Sequence, residues 1–501
     1  MDNPYGQDMK GRLSDEDLSV YRPSVGLIKE QLSSNSDVFF RDITVNSAVP
    51  ITLTLVYADG VADQTRLSDY IIKPLVAGDG FKDARSEEDV LTRVREGAIY
   101  YGSQFIRYNA KDAIDGILAD GAAIIFDKLC VAVTFDIKGF SRRTVNEPAG
   151  ENIIKGGKDT LVEAIRFNTA TIRSRLKTSN LAIEEFTVGR QSKTKVAVIY
   201  IRDITNPMLV DALKKRLSAL SISDTMALAS IEENLKDVHY TMFPQFLTSE
   251  RPDKICSDIA EGRVCIIIDG IPIALIAPVT LASFMQGPED YTQNAITVSL
   301  VRIMRYILMA VAIMVPGLYI AVMTFNIEMI PTNYLMAIVT SRQGVPFTIF
   351  FEALVMLFAF EILLEAGLRL PKITGQAVSI VGGIIVGQAA ITAKLVSPGI
   401  LVVVALSVIA GLALPNKDMV NALRVWRLVI TLTGGIAGLF GIQLGFIMFL
   451  YSLARIETLG VPYLAPFAGI DSRSFGDTIV RMPMKSQKKR PEFLKTLDQE
   501  R

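Results

Sequence analysis

The chain has 501 residues, too many for one ordinary domain and enough for about three. Lys plus Arg and Asp plus Glu number 52 each, so no global charge argues for nucleic acid, and no nucleic-acid partner is expected. Half of the residues are hydrophobic and the mean hydropathy is +0.35, high for a soluble protein, with the excess concentrated after Val301.

His239 is the only histidine, which argues against histidine catalysis and multi-histidine metal sites. Cys130, Cys256 and Cys265 form no CxxC pair and fit small buried thiols in a reducing compartment. No Gly-x-Ser-x-Gly elbow, zinc spacing or paired carboxylates with a substrate cleft occurs. Enzymatic activity, a cofactor and a metal are therefore not expected.

Residues 1–37 are polar and lack the apolar core of a signal peptide, so they read as a flexible segment and the soluble half is expected in the cytosol. Residues 38–145 and 146–290 then read as two tandem, related α/β modules repeating at about 142 residues. Ile43-Thr44-Val45 with LTLVYADGVAD resembles Phe186-Thr187-Val188 with VAVIYIRDITN, each followed by a helical pattern. ILADGAAIIFDKLCVAVTFD likewise parallels DIAEGRVCIIIDGIPIALIAP, where Asp269-Gly270 signals a tight hairpin.

The second module opens on an inter-module helix, with Leu161, Ile165, Thr169, Ile172 and Leu176 at helical spacing. Its basic end, Arg173, Arg175 and Lys177, reads as solvated, with anion binding the sharper alternative. GGK at 156–158 is not a phosphate loop, because Asn152 stands where the first glycine belongs and Asp159 where Ser or Thr does.

Residues 296–467 read as a polytopic helical membrane domain, so the fold class is α/β plus α-helical membrane. Spans are expected at 303–325 (kinked at Pro316-Gly317), 376–396, 398–415 and 427–451, with 347–366 re-entrant or interfacial. Four crossings place the soluble half and the basic tail, 468–501, on one side but leave Lys417, Arg424 and Arg427 on the other. Arg302 and Arg305 flank the first span at its cytosolic start.

Glu352, Glu361 and Glu365 lie in a strongly apolar stretch, where acidic groups usually face a bundle interior, a partner or water. They are candidates for attracting cations at a pore mouth, with ordinary polar contacts of an interfacial helix as the plain alternative. Glu365 and Arg369 are spaced for an i,i+4 pair. Gln376, Ser379, Gly383, Gly387, Ala390 and Lys394 form one small, polar helical face, for helix packing or for lining a pore. Gly434, Gly438, Gly441 and Gly445 make a second stripe, read as packing.

EAGLRLPKITGQAVSIVGGIIVGQAAITAKLVSP (365–398) resembles the membrane core of the GerA family, A subunits of spore germinant receptors. Residues 243–291, beginning FPQFLTSERPDKICSDIAEG, 330–347 (IPTNYLMAIVTSRQGVPF) and 460–467 (GVPYLAPF) also resemble it. EPAGENIIKGGKDTLVEAIRFNTATIRSRL (147–176) is similar to the family's inter-module helix, though Thr171 and Ser174 interrupt the usual basic run. The likeness spans about residues 38–470.

The resemblance implies a multi-pass protein of the spore inner membrane, with its N-terminal modules and C-terminal tail cytosolic. It further implies a homo-oligomeric, pentameric ring in contact with membrane lipid, acting as a ligand-gated cation channel. The implied partners are a transporter-like B subunit that binds nutrient and a lipoprotein C subunit. The rival readings are a non-conducting scaffold of the receptor complex and a SpoVAF-like amplifier. A secondary transporter would show more spans in paired repeats, whereas the repeat here is soluble.

Overall fold

The computed structural model describes residues 15–139, 151, 156–220, 227–369, 383, 385–468 and 474–500. It divides into two compact units. One comprises Met1–Leu235, Thr248–Pro278 and Lys489–Arg501, the other Lys236–Leu247 and Val279–Lys488.

The first unit contains two five-stranded sheets. In one, β1 (Val38–Val45), β2 (Ile51–Ala58), β3 (Gln104–Arg107), β4 (Gly121–Phe126) and β5 (Val131–Asp136) take the order β1-β2-β4-β5-β3. In the other, β6 (Leu181–Val188), β7 (Thr194–Ile201), β8 (Leu247–Ser249), β9 (Val264–Ile268) and β10 (Ala274–Ala277) take the order β6-β7-β9-β10-β8. Every strand of the second sheet begins 143 residues after its counterpart (38 to 181, 51 to 194, 104 to 247, 121 to 264, 131 to 274).

The central strands are buried on both faces, and the pleat decides which side each residue serves. Along β4, Ala122, Ile124 and Phe126 pack with Ile71, Phe81 and Val90 on one face of the sheet. Ala123 and Ile125 pack on the other with Ile114 and Ile117 of α1 (Ala110–Asp120). Asn109 caps α1 by accepting from Asp112 N at 2.7 Å, and Gly121 ends it at φ 107°.

Two sequence expectations change here. Asp269-Gly270 sits in a longer loop than a two-residue hairpin turn, because the last paired residues are Ile267 and Ala274. The loop anchors the inter-module helix α2 (Ile165–Arg175) instead: Asp269 Oδ1 accepts from Ile165 N at 3.0 Å, and Gly270 N donates to Glu163 O at 2.8 Å. Arg173 is neither solvated nor open to an anion. It is fully buried and donates from Nε and Nη2 to Asp37 at 2.7 and 2.8 Å, while Arg175 pairs with Asp159. The bidentate pair holds the run-in to β1 against α2, beside a Ser36 N to Ile183 O bond of 2.8 Å.

The second unit is helical: α3 (Ala295–Phe325), α4 (Thr332–Ser341), α5 (Ile349–Arg369), a short helix at 385–392, α6 (Pro398–Leu412) and α7 (Lys417–Ala454). By length and composition, α3 and α7 are apolar enough to cross a membrane. The helix of α3 runs unbroken through Pro316. Next to it Gly317 permits close packing, since a Cβ there would stand 2.9 Å from Ile430 O.

The stretch 427–451, read from sequence as one crossing, reverses direction. Ala437 (φ −124°, ψ 18°) and Gly438 (φ 59°, ψ −141°) interrupt α7. The Trp426 and Phe449 rings meet edge-on at 5.5 Å, although a straight helix would hold them about 35 Å apart. The two arms, 417–436 and 439–454, therefore form an antiparallel hairpin. Its glycine stripe packs arm on arm: a Cβ on Gly434 would stand 3.0 Å from Ile442 Cγ1, one on Gly445 2.7 Å from Thr433 Oγ1, and one on Gly441 would collide with Thr433 O. Gly438 carries a backbone conformation that L residues rarely adopt.

Arg302 and Arg305, expected as flanking charges, are buried in a network. Arg302 reaches Asp290 at 2.8 Å and Asp477 at 2.9 Å, and Arg305 reaches Asp290 at 2.9 Å. Residues of the expected tail are thus ordered: Asp477 and Arg481 join this network, and Leu497 N donates to Ile204 O at 3.0 Å within the first unit.

Candidate functional site

The three glutamates of α5 have three environments. Glu352, in the first turn of α5, is fully buried. Its carboxylate accepts from Arg342 at 2.9 Å and from Ser397 N, at the start of α6, at 2.8 Å. A carboxylate held by a guanidinium and a helix N-terminus is a clamp between elements. Within this chain Glu352 therefore faces no open path, which corrects its reading as a pore-mouth group.

Glu361, two and a half turns on, points toward α7. Arg424 Nη2 lies 2.5 Å and Arg427 Nη2 3.7 Å from its carboxylate, which keeps substantial exposure. Glu365 is exposed one turn further. The expected Glu365–Arg369 pair lies outside the described side chains.

Two cavities meet at these arginines. One, of 690 Å³, is lined by Glu361, Glu365, Asn421, Arg424 and Arg427 together with apolar residues of α5 and α7. The other, of 420 Å³, has Lys417, Asn421, Arg424 and Arg427 on one wall, with Ala312, Leu364, Val408 and Leu412 opposite. Arg424 donates to Asn421 Oδ1 at 3.1 Å, and its Nε is buried without a partner among the described residues. Neighbouring cations thus largely neutralise Glu361. The field of this corner is not that of an acidic funnel.

The small-residue face behaves unevenly. Gln376 and Ser379 lie outside the described residues. Gly387 is buried, with Leu401 at 3.3 Å from where a Cβ would stand, and Ala390 joins a core with Met356, Val404 and Leu401. Gly383 has no atom of a described residue within 4 Å of the place a side chain would take. Lys394 does not continue the face: helix ends at 392, and Lys394 stands exposed with φ 54°, a left-handed residue past the helix end. The helical spacing that grouped it with Ala390 does not apply beyond that end.

The family model of Bacillus/Clostridium GerA spore germination protein matches residues 26–493. The chain belongs to the GerA family. It is 33% identical over 465 residues to spore germination protein B1 of Bacillus subtilis (strain 168), covering 93% of this chain and 95% of that protein. It is 31% identical over 456 residues to the uncharacterized membrane protein YfkQ of the same organism, covering 91% and 88%. Among solved structures, the N-terminal domain of the A subunit of the Bacillus megaterium spore germinant receptor GerK3 is 28% identical, covers 51% of this chain and 92% of that one, and has a TM-score of 0.41.

In this GerA-family chain, two stretches that carried the resemblance meet in space. Phe243 of FPQF is buried and packs against the only tryptophan, Trp426, at 6.2 Å, against Phe449 at 5.7 Å and against Tyr463 of GVPYLAPF at 6.3 Å. The cluster ties both arms of the hairpin to segments 236–247 and 461–465. In the first unit, burial raises the Glu185 carboxyl against the pull of Arg166, which donates to it from Nη2 at 3.1 Å. Burial also pushes the Cys256 thiol up to about 12 and raises the Cys265 thiol well above its ordinary range, so both stay protonated and unreactive.

Lys417, Arg424 and Arg427 were legible in sequence only as an awkward charge count. Their spacing of seven and three residues places them on one helical face, and that was the signal available.

Proposed function

We propose that this GerA-family chain acts in spore germination as the A subunit of a nutrient receptor in the spore inner membrane. In this reading it assembles as a pentameric ring around a cation path. A transporter-like B subunit senses the nutrient, and a lipoprotein C subunit completes the complex. We further infer that the two sheets, with one strand order and a constant offset of 143 residues, are copies of one module.

The observation that carries the assembly is the space beside Gly383, which no described residue fills within 4 Å, one turn before a glycine that Leu401 already seals. A small-residue face half closed by its own chain is complementary to a neighbouring helix or an axis. The hairpin also bears on topology. Ile430 lies against Gly317 and Gly438 against Phe325, so the first arm runs parallel to α3 and its tip reaches the Phe325 end. Lys417, Arg424 and Arg427 then fall toward the Arg302 end, which removes the conflict with the positive-inside tendency.

Of the three acidic candidates, Glu365 keeps the pore-mouth role. The scaffold reading gains from the neutralised Glu361 and Glu352, which leave less acid to draw cations. Cation release from liposomes carrying the purified chain separates the two. Release that Gly383→Leu blocks supports the channel, and tight liposomes around well-assembled oligomers support the scaffold.

A further inference from the structure

Arg427 is 5% exposed, yet among the described residues its guanidinium has no hydrogen bond, and its one ionic partner is Glu361 at 3.7 Å. A buried guanidinium has five donors to satisfy, and leaving them unmet is costly. Arg427 lines both cavities, and the 420 Å³ one holds Lys417, Arg424 and Arg427 with no carboxylate among its described lining residues. Its opposite wall is apolar: Leu364, Val408 and Leu412, with Ala312 at the back. The volume falls within the roughly 300–1,000 Å³ of small-molecule sites.

We propose that this cavity binds an anionic amphiphile, whose acidic oxygens dock on Arg427, Arg424 and Lys417 while its chain lies along Leu364, Val408 and Leu412. The wall chemistry argues for both parts. One carboxylate, Glu361, bonded to Arg424 and distant from Arg427, does not balance three cations, which selects an anion, and a planar guanidinium suits a carboxylate or phosphate oxygen pair. An inorganic anion would leave the apolar wall facing water, and a neutral lipid would leave the guanidinium unmet. Two sources share this chemistry: an anionic phospholipid of the surrounding bilayer and a free fatty acid. Lys417, exposed at the start of the hairpin, guides the head, and the buried Arg427 holds it. Occupancy would draw α5, α6 and α7 together, because Leu364, Val408 and Arg427 come one from each.

The test uses the full chain in detergent. Thermal stability is followed during titration with phosphatidylglycerol, phosphatidylcholine or dodecanoate. Phosphatidylglycerol or dodecanoate should raise the melting temperature and phosphatidylcholine should not. Arg427→Gln should weaken the response at least tenfold and Lys417→Gln about threefold. Leu412→Trp, which fills the apolar wall from an exposed position, should abolish it. A response to phosphatidylglycerol alone assigns the bilayer as source, and a response to dodecanoate alone assigns the free acid. Equal responses to phosphatidylglycerol and phosphatidylcholine, no response to either anionic probe, or an undiminished response in Arg427→Gln would each overturn the proposal. Should Arg427→Gln fail to fold, Lys417→Gln and Leu412→Trp decide, and wild-type responses in both overturn it. The proposal rests on membrane placement but not on conduction, so lipid binding with no ion flux, or flux with no lipid binding, separates its failure from that of the channel.

Discussion

Two glycine stripes of similar spacing, fewer than fifty residues apart, meet different fates. Gly434, Gly441 and Gly445 are consumed inside the chain, where the two arms of the 417–454 hairpin approach so closely that no side chain fits. Gly383 has no described atom within 4 Å of a side-chain position while Gly387, one turn on, is closed by Leu401. Small residues at helical spacing announce close approach without naming the partner. In the hairpin the partner is the same helix folded back, and along the 383–390 face the described residues supply it only in part. Buried arginines show the same contrast. Arg173 is held by two short hydrogen bonds to Asp37, whereas Arg427 keeps one distant ionic partner and a cavity.

The sharpest break of the stripe comparison is a single methyl group. Gly441→Ala forces a Cβ onto the Thr433 carbonyl and should cost more than about 3 kcal/mol, beyond ordinary overpacking, so folded chain is lost from size-exclusion profiles. Gly383→Ala should leave that profile within error of wild type. Equal effects at the two positions would dissolve the contrast.

For the arginines, Asp37→Ala strands a fully buried guanidinium and should destabilise the first unit by about 3–5 kcal/mol, read as a lower urea midpoint. Arg427→Gln should cost less than half as much, because its site is already under-partnered. A similar cost for the two would mean that Arg427 is as structural as Arg173.

Gly383→Leu sharpens the open half of the comparison. The chain should fold normally, but a neighbour facing that flank would meet an overpacked surface worth about 1–3 kcal/mol per contact. Oligomers and cation release should fall together while monomer stability stays. Intact oligomers with intact release would show that nothing packs there.

Cys256 gives a smaller effect with a definite sign. Its thiol ionises near 12 when folded against an ordinary 9, so its stabilising contribution is complete below pH 9 and is lost as pH rises toward 12. Between pH 8 and pH 10 the wild type should lose roughly 1.4 kcal/mol more than Cys256→Ala in urea titrations. Parallel pH profiles would contradict the burial-driven shift.

The smallest effect expected is electrostatic. Glu365→Gln should slow cation release a few-fold, more at low ionic strength, because attraction at a wet mouth is screened over about 8–10 Å at ordinary salt. Glu361→Gln should show no such salt dependence, since Arg424 already holds that carboxylate. Reversed salt behaviour would move the mouth to Glu361.

Sequence by itself determined the class of this protein: an α/β part before an apolar helical part, and membership of the GerA family on long ordered motifs. It also pointed to two sets of strands at a near-constant offset, because strand positions alternate by the pleat. What tertiary structure alone decided was direction and company. A Gly438 at φ 59° turns one apparent span into a hairpin, and apolar periodicity cannot register such a reversal, since both arms keep the same helical pattern. Charge partners were equally hidden. Arg173 finds Asp37 across 136 residues and Arg424 finds Glu361 across 63, separations that carry no local signal. Whether a buried charge is closed or waiting depends on what the folded chain brings within about 4 Å, and that is a property of packing.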